Sequence, residues 1–256
     1  MTATLASRVD GRQGAHRLVL AHGFTQTMGS WAPLLPALGE RFELLLVDLP
    51  GHGGSGRLRL DMGATAAALG DAGGRAAYLG YSLGGRACLR LAVDRPELVG
   101  ALVLVGASPG LAEAGERAAR VAADEALAAG IEHDGTGAFL DRWLAQPLFA
   151  TLPPAAAGRA ERLANRPEDL AAALRLLGTG AQAPLWDRLG ELAMPVLLVA
   201  GALDAKFAAL AARMAAAIGP AARVELVEGA GHAAHLERPA EVAALVGAFL
   251  AEHQGA

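Results

Sequence analysis

Three residues that together perform proton transfer and nucleophilic chemistry occur in order along the chain: Ser82, Asp204 and His232. Ser82 lies in Gly80-Tyr81-Ser82-Leu83-Gly84-Gly85-Arg86, between an apolar run, residues 76–79, and a segment with helical spacing. A serine flanked by glycines at a strand-to-helix junction is the pattern of a nucleophile elbow. The chain turns there so sharply that only small residues fit beside the serine, and the hydroxyl is lifted above the sheet. A bare glycine turn that happens to carry a serine has the same pattern, so the partners decide. Asp204 and His232 each stand just past a strand-sized apolar run. His232 can take the serine proton, and the carboxylate can fix the imidazole tautomer and steady its cation.

Negative charge developing beside Ser82 would need donors. The backbone N–H groups of Leu83, after the serine, and of Phe24, in His22-Gly23-Phe24, are placed by position to form an oxyanion hole. The remaining histidines have weaker claims. His22, His52 and His235 sit in loops near the site without a matching carboxylate, and His16, His133 and His253 read as solvent-exposed. One cysteine and scattered histidines lack metal-ligand spacing, so no metal is expected. The glycines of 51–56 are not followed by Gly-Lys-Ser/Thr, so they are no phosphate loop and no cofactor is expected.

These residues need a frame that presents strand ends side by side. Residues 17–21, 43–49, 76–81, 101–105, 195–200 and 224–227 read as buried strands, several of them near-continuous apolar runs. Ser30 is expected to cap a helix through Leu38, Asp61 to begin a short helix to Leu69, and Pro239 to open a closing helix to Ala251. Residues 1–15 read as a weak hairpin with Asp10-Gly11 as its turn. Strands alternating with helices predict an α/β fold with a mainly parallel sheet. Residues 108–190 break the rhythm with several helical patterns and no convincing strand. The expected organisation is therefore a core of residues 1–107 and 191–256, with residues 108–190 a helical lid over the strand ends, where open α/β sheets bind ligands.

Composition narrows the classes. The chain has 256 residues, 53% of them apolar, and a net charge of −4, enough for a large core and without the basic stripe that nucleic acid requires. The lone Cys88 excludes an internal disulfide and reads as a small buried thiol in a reducing compartment. No run has signal-peptide or membrane-span character, so a soluble cytoplasmic protein without membrane or nucleic-acid partners is expected, as a monomer or small homo-oligomer.

The chain resembles α/β-hydrolase-fold proteins over nearly its whole length, and more narrowly the 2-succinyl-6-hydroxy-2,4-cyclohexadiene-1-carboxylate (SHCHC) synthases of menaquinone biosynthesis. The resemblance rests on His22-Gly23-Phe24, Asp48-Leu49-Pro50-Gly51-His52-Gly53 and Gly80-Tyr81-Ser82-Leu83-Gly84-Gly85-Arg86. It continues in Ser108-Pro109-Gly110-Leu111, in Trp143 with Gln146-Pro147-Leu148-Phe149, and in Gly178-Thr179-Gly180-Ala181-Gln182. It closes with Asp204-Ala205-Lys206-Phe207 and Gly231-His232-Ala233-Ala234-His235-Leu236-Glu237. The arginine after the double glycine, the tryptophan with Pro-Leu-Phe, and Asp-x-Lys-Phe are its specific parts.

That resemblance implies an α/β-hydrolase fold and a lyase that eliminates pyruvate from a polyanionic cyclohexene, with Ser82 acting as base toward a ring proton. It also implies substrate binding by Arg86, Tyr81 and Trp143, with Arg120 and Arg162 as candidate substrate-binding arginines of the lid. Arg117 and Arg175 are further arginines of the same region, and Val121 and Ala122 stand where the resemblance leads one to expect another base. Arg86 lies one helical turn after Ser82 on the same face. A serine esterase or C–C bond hydrolase with the same triad is the alternative, and a non-catalytic ligand binder would not need the three residues.

Overall fold

The computed structural model describes residues 3–253. In chain order the elements are β1 (Ser7–Gly11), β2 (Arg17–Ala21), α1 (Leu35–Gly39), β3 (Glu43–Val47), α2 (Met62–Gly73), β4 (Ala76–Tyr81), α3 (Leu83–Asp94) and β5 (Val99–Val105). There follow α4 (Ala114–Leu144), α5 (Arg159–Arg162), α6 (Pro167–Leu177), β6 (Val196–Gly201), α7 (Ala205–Ile218), β7 (Ala222–Val227), α8 (Ala234–Glu237) and α9 (Pro239–Glu252). Seven strands form one sheet in the order β1-β3-β2-β4-β5-β6-β7. All neighbours pair in parallel except β1, which runs antiparallel to β3. The expected α/β frame is thus present, with β4 at its centre.

Alternation along each strand divides the core between the two faces. Leu18, Leu20, Leu44 and Leu46 pack with Trp31, Leu34, Val246 and Phe249 under α1 and α9. Val19, Ala21, Leu45 and Val47 pack on the other face with Leu69 of α2, Leu89 of α3 and Met214 of α7. Both faces are covered, which is why the inner strands read as unbroken apolar runs. Cys88 is buried among them.

Two local readings are corrected. The residues expected as a hairpin supply an edge strand: β1 pairs Ser7 with Val47 and Gly11 with Glu43, and β3 separates it from β2. The cause is polarity. β2 is apolar on both faces and takes a neighbour on each side, whereas every residue of β1 is exposed and suits only the rim. Residues 1 and 2 of that reading lie outside the described residues. The helix expected from Ser30 begins instead as a 3-10 turn, Met28–Leu34, capped by the Thr27 side chain, which accepts from the Gly29 N–H. Pro33 lies inside it and has no N–H to give, so α-helix starts only at Leu35. Of the other boundaries, α2 runs on to Gly73 and β5 starts at Val99, while β3 stops at Val47, short of the expected Leu49.

Between β5 and β6 the described residues contain helices and turns but no strand. α4 is broken at Gly135, whose φ of 81° and ψ of 167° are not helical. α4 and α6 pack through Ala128, Ile131, Leu140, Leu170 and Leu174, a small core of their own. Phe24 and Trp143 sit against this cluster and join it to the strand ends.

At the start of α3 there is no room for side chains on the glycines. A Cβ on Gly84 would run into the backbone of Ala21 and His22, and one on Gly80 would lie 2.5 Å from backbone atoms of Gly84 and Gly85. Rigid backbone cannot yield as a flexible side chain would. Gly84→Ala is therefore expected to destabilise the fold by about 2–3 kcal/mol or more, read as a lower urea midpoint. An unchanged midpoint would show that α3 can move away from β2.

Candidate active site

Ser82 links β4 to α3 with φ 48° and ψ −105°, a backbone region sparsely populated by residues with a Cβ. Holding it there costs about 1–3 kcal/mol. The surroundings over-determine the geometry: the Ser82 N–H donates to Val105 O at 2.9 Å, and Ser82 O accepts from Arg86 N–H at 3.0 Å. The result is a hydroxyl standing above the carboxyl end of the central strand, at the N-terminus of a twelve-residue helix.

The loops after β6 and β7 bring the partners. His232 Nδ1 lies 2.9 Å from Asp204 Oδ2, and its Nε2 lies 3.4 Å from Ser82 Oγ. Since a carboxylate only accepts, the Nδ1–H faces Asp204 and the Nε2 lone pair faces the serine. Burial pushes the Asp204 carboxyl upward, but the hydrogen bonds from His232 and from the Phe207 N–H outweigh it and hold the group below its ordinary value. Phe207 packs on the imidazole at 4.4 Å and Tyr81 at 5.4 Å between ring centres. This arrangement can move a proton from Ser82 to His232 while keeping the imidazolium paired.

Leu83 and Phe24 line the same cavity as Ser82. Leu83 is the first residue of α3 and so has no acceptor within the helix. Among the described residues neither its N–H nor that of Phe24 donates to another backbone group. The next amide, Gly84 N–H, is taken by His22 O at 3.0 Å, which ties the elbow to the loop carrying Phe24.

The loop histidines have a different task from His232. His22 Nε2 accepts from Leu49 N–H at 3.0 Å, and His52 Nε2 accepts from Thr25 N–H at 3.1 Å, so each ring stitches one strand-end loop to the next. Their Nδ1 atoms donate to Gly23 O and Pro50 O. His235 is fully buried between Tyr81 and Trp31, with ring centres 4.1 and 5.0 Å away, and neither nitrogen has a partner among the described residues. Burial, the largest cause in each case, lowers the pKa of His22 to about 4 and those of His52 and His235 to about 3. Arg162 lowers His22 and His235 further, and His22 does the same to His52.

A cavity of about 180 Å³ opens over Ser82, lined by residues of the strand ends and of α4–α6. Every proposed site residue except Asp204, which stands behind His232, lines it: Phe24, Leu83, Tyr81, Arg86, Arg120, Trp143 and Arg162 beside Ser82 and His232. Arg86 is buried and donates to Gln182 Oε1 at 2.6 Å and Leu177 O at 2.7 Å. Both acceptors are neutral. Burial first, and then the nearby Arg120, lower its pKa to about 10 despite Asp124. Arg162 is buried too, donating to Ala157 O at 2.7 Å, to Phe24 O and to Thr25 Oγ1. Arg120 pairs with the buried Asp124 at 2.8 Å. Arg175 points elsewhere, in ion pairs with Glu125 and Glu132 on the surface, and Arg117 donates to Leu111 O and Ala112 O. A larger cavity, about 420 Å³, lies at the amino ends of β2, β4 and β5 and contains none of these groups.

Two residues at the site carried no role in the sequence reading. Lys206 lines the cavity, with its ammonium 5.8 Å from the Phe207 ring centre. Asn165, in the turn between α5 and α6, is buried and bridges two strand-end loops. A compositional signal was available for both: they are the only lysine and the only asparagine in a chain that otherwise uses arginine for its cations.

The model of the alpha/beta hydrolase family matches residues 18–245 of this chain. A Salmonella typhimurium protein named 2-succinyl-6-hydroxy-2,4-cyclohexadiene-1-carboxylate synthase is 36% identical over 253 residues, covering 93% of this chain and 94% of its own. Among solved structures, MenH from S. aureus superposes with a TM-score of 0.91 at 30% identity, over 97% of this chain and 99% of that one. A hydrolase from Pseudomonas aeruginosa PA01 superposes with a TM-score of 0.74 at 29% identity, over 98% and 94%.

The neutral buried histidines make stability depend on pH. Unfolded, each binds a proton near pH 6.5; folded, only at the lower values above, so the unfolded state holds more protons in between. Stability is full above about pH 6.5 and falls as the pH drops, by about 1.4 kcal/mol per pH unit for each ring. A phenyl ring can occupy the His235 slot without titrating. His235→Phe should reduce the loss of unfolding free energy between pH 7 and pH 5 by about 2 kcal/mol, measured by urea titration. An identical loss in both proteins would mean that His235 is protonated in the fold.

Proposed function

This chain belongs to the alpha/beta hydrolase family and is an enzyme of that fold, and on that premise we propose that it is a lyase of menaquinone biosynthesis. It eliminates pyruvate from 2-succinyl-5-enolpyruvyl-6-hydroxy-3-cyclohexene-1-carboxylate to give SHCHC, with Ser82, His232 and Asp204 as its proton-transfer set. The observation that carries this reading is the charge of the cavity. Arg86, Arg120, Arg162 and Lys206 line it, and among the described residues no Asp or Glu does. A substrate with carboxylates on its succinyl, enolpyruvyl and ring positions supplies the missing negative charge, and charge-assisted hydrogen bonds to arginine are strong in such surroundings. A neutral ester would leave buried guanidiniums uncompensated. The relatives named SHCHC synthase support the same reading.

The chemistry follows from the geometry. His232 Nε2 takes the Ser82 proton, and the serine oxygen removes the ring proton beside the succinyl ketone. The Phe24 and Leu83 N–H groups hold the negative charge that develops on the ketone oxygen. The electron pair of the broken C–H bond returns as a double bond to the next ring carbon, the existing ring double bond shifts one carbon on to the carbon bearing the ether, and the C–O bond to the enolpyruvyl group breaks with its electron pair. The departing enolpyruvate takes up a proton and becomes pyruvate. No acyl-enzyme forms, and Asp204 keeps the imidazolium paired throughout.

The helical segment over the strand ends acts as a lid in this account. Ligand pockets usually measure about 300–1,000 Å³, so a cavity of about 180 Å³ is a closed form that must widen to admit the ring. Trp143, in edge-on contact with Phe24 at 5.3 Å, and Tyr81 give the apolar walls.

A spectrophotometric assay tests the assignment: the enolpyruvyl ether is generated in place, and pyruvate and the conjugated diene are followed together. Both should appear with the native protein, and Ser82→Ala should slow them by about 10²–10⁴-fold or more. Arg86→Met should raise KM about tenfold or more, since a hydrogen bond to a charged group is lost. No pyruvate, but Ser82-dependent cleavage of a nitrophenyl ester, would place the protein among the hydrolases.

A further inference from the structure

Thr25 is, with Ser82, one of two non-glycine residues at positive φ among the described residues, at 69°. It follows Phe24 directly, so anchoring it holds in place the short loop that carries the Phe24 N–H. A threonine, β-branched, does not hold a left-handed backbone unaided. Three tethers hold it here: its N–H donates to His52 Nε2 at 3.1 Å, its carbonyl accepts from Asn165 Nδ2 at 2.7 Å, and its hydroxyl accepts from Arg162. Two of the three come from the segment between β5 and β6.

Asn165 does more than touch Thr25. Its Oδ1 accepts from the Gly53 N–H at 2.8 Å, in the loop after β3. Its own backbone carbonyl accepts from Thr136 Oγ1 of α4 at 2.9 Å. One buried side chain therefore joins the α5–α6 turn to the loop after β2 and the loop after β3. The donor to a carbonyl and the acceptor from an N–H fix which way the amide lies. An ionised aspartate has no donor for Thr25 O, and alanine has neither group.

We propose that Asn165 is a positioning residue: docking of the α5–α6 turn through its amide holds Thr25 left-handed and thereby fixes the loop that presents the Phe24 N–H to the oxyanion. The inference rests on the proposed roles of Phe24 and Ser82 and extends them to a residue that touches no reacting atom.

The test uses the full chain with Asn165→Ala and Asn165→Asp, the second nearly isosteric and a safeguard should the first fold poorly. Thr25 ¹³Cα and ¹³Cβ shifts report its backbone conformation, and steady-state assays report kcat and KM. Removing an oxyanion donor typically costs about 10²–10³-fold in kcat, and a donor merely mis-aimed should cost about 10–100-fold. The expected result is that loss in kcat with KM little changed, with Thr25 shifts moved to extended values in the same variants. Thr25 shifts that stay put overturn the proposal, whether or not kcat falls, and so does an unchanged kcat beside moved shifts. If the native protein releases no pyruvate, the lyase reading fails on its own, and kcat is read on the ester substrate instead, since the oxyanion site serves either chemistry.

Discussion

The structure depends on the close approach of α3 to the end of β2. A helix can start directly after the central strand and press against its neighbour only if Ser82 adopts a strained backbone and Gly80 and Gly84 carry no side chain. That contact brings the Ser82 hydroxyl, the open amide of Leu83 and the loop of Phe24 into one small volume. The strain is offset by burial on both faces of the sheet, where β2–β5 contribute long apolar runs. Stability generated in the core thus maintains a locally unfavourable turn at the site, as is usual where backbone strain serves chemistry.

Electrostatics sets a second constraint. Burying a guanidinium without an acid costs free energy, and here Arg86 and Arg162 are each solvated by neutral oxygens alone. Each also satisfies buried acceptors, Gln182 Oε1 and Leu177 O for Arg86, and Ala157 O and Thr25 Oγ1 for Arg162, which an apolar replacement would strand. In the proposed function the two arginines serve as binding capacity for substrate carboxylates. The neutral histidines work in the opposite sense: His22 and His52 give their ring nitrogens wholly to the loop backbone, and burial keeps them uncharged beside those arginines.

Much of this was legible in the sequence because its signals are local. The elbow pattern around Ser82, the apolar strand runs and the placement of Asp204 and His232 after strands each depend on a few consecutive residues. What was not legible depends on partners distant in sequence. The edge position of β1 follows from which strand has two apolar faces, and the late start of α1 from Pro33 and the Thr27 cap. Asn165 bridges residues 140 and 112 positions away, and no motif marks it. Its uniqueness in the composition was the only trace.

The central claim is that Ser82 takes a ring proton and does not attack a carbonyl. The most direct measurement is a single-turnover comparison of the enolpyruvyl substrate with and without deuterium at the ring carbon beside the succinyl ketone. The account predicts that deuterium slows pyruvate and diene formation together, because cleavage of that C–H bond is the step the site is built to catalyse. Equal rates, accompanied by a hydrolysed succinyl product, would contradict it and make Ser82 a nucleophile.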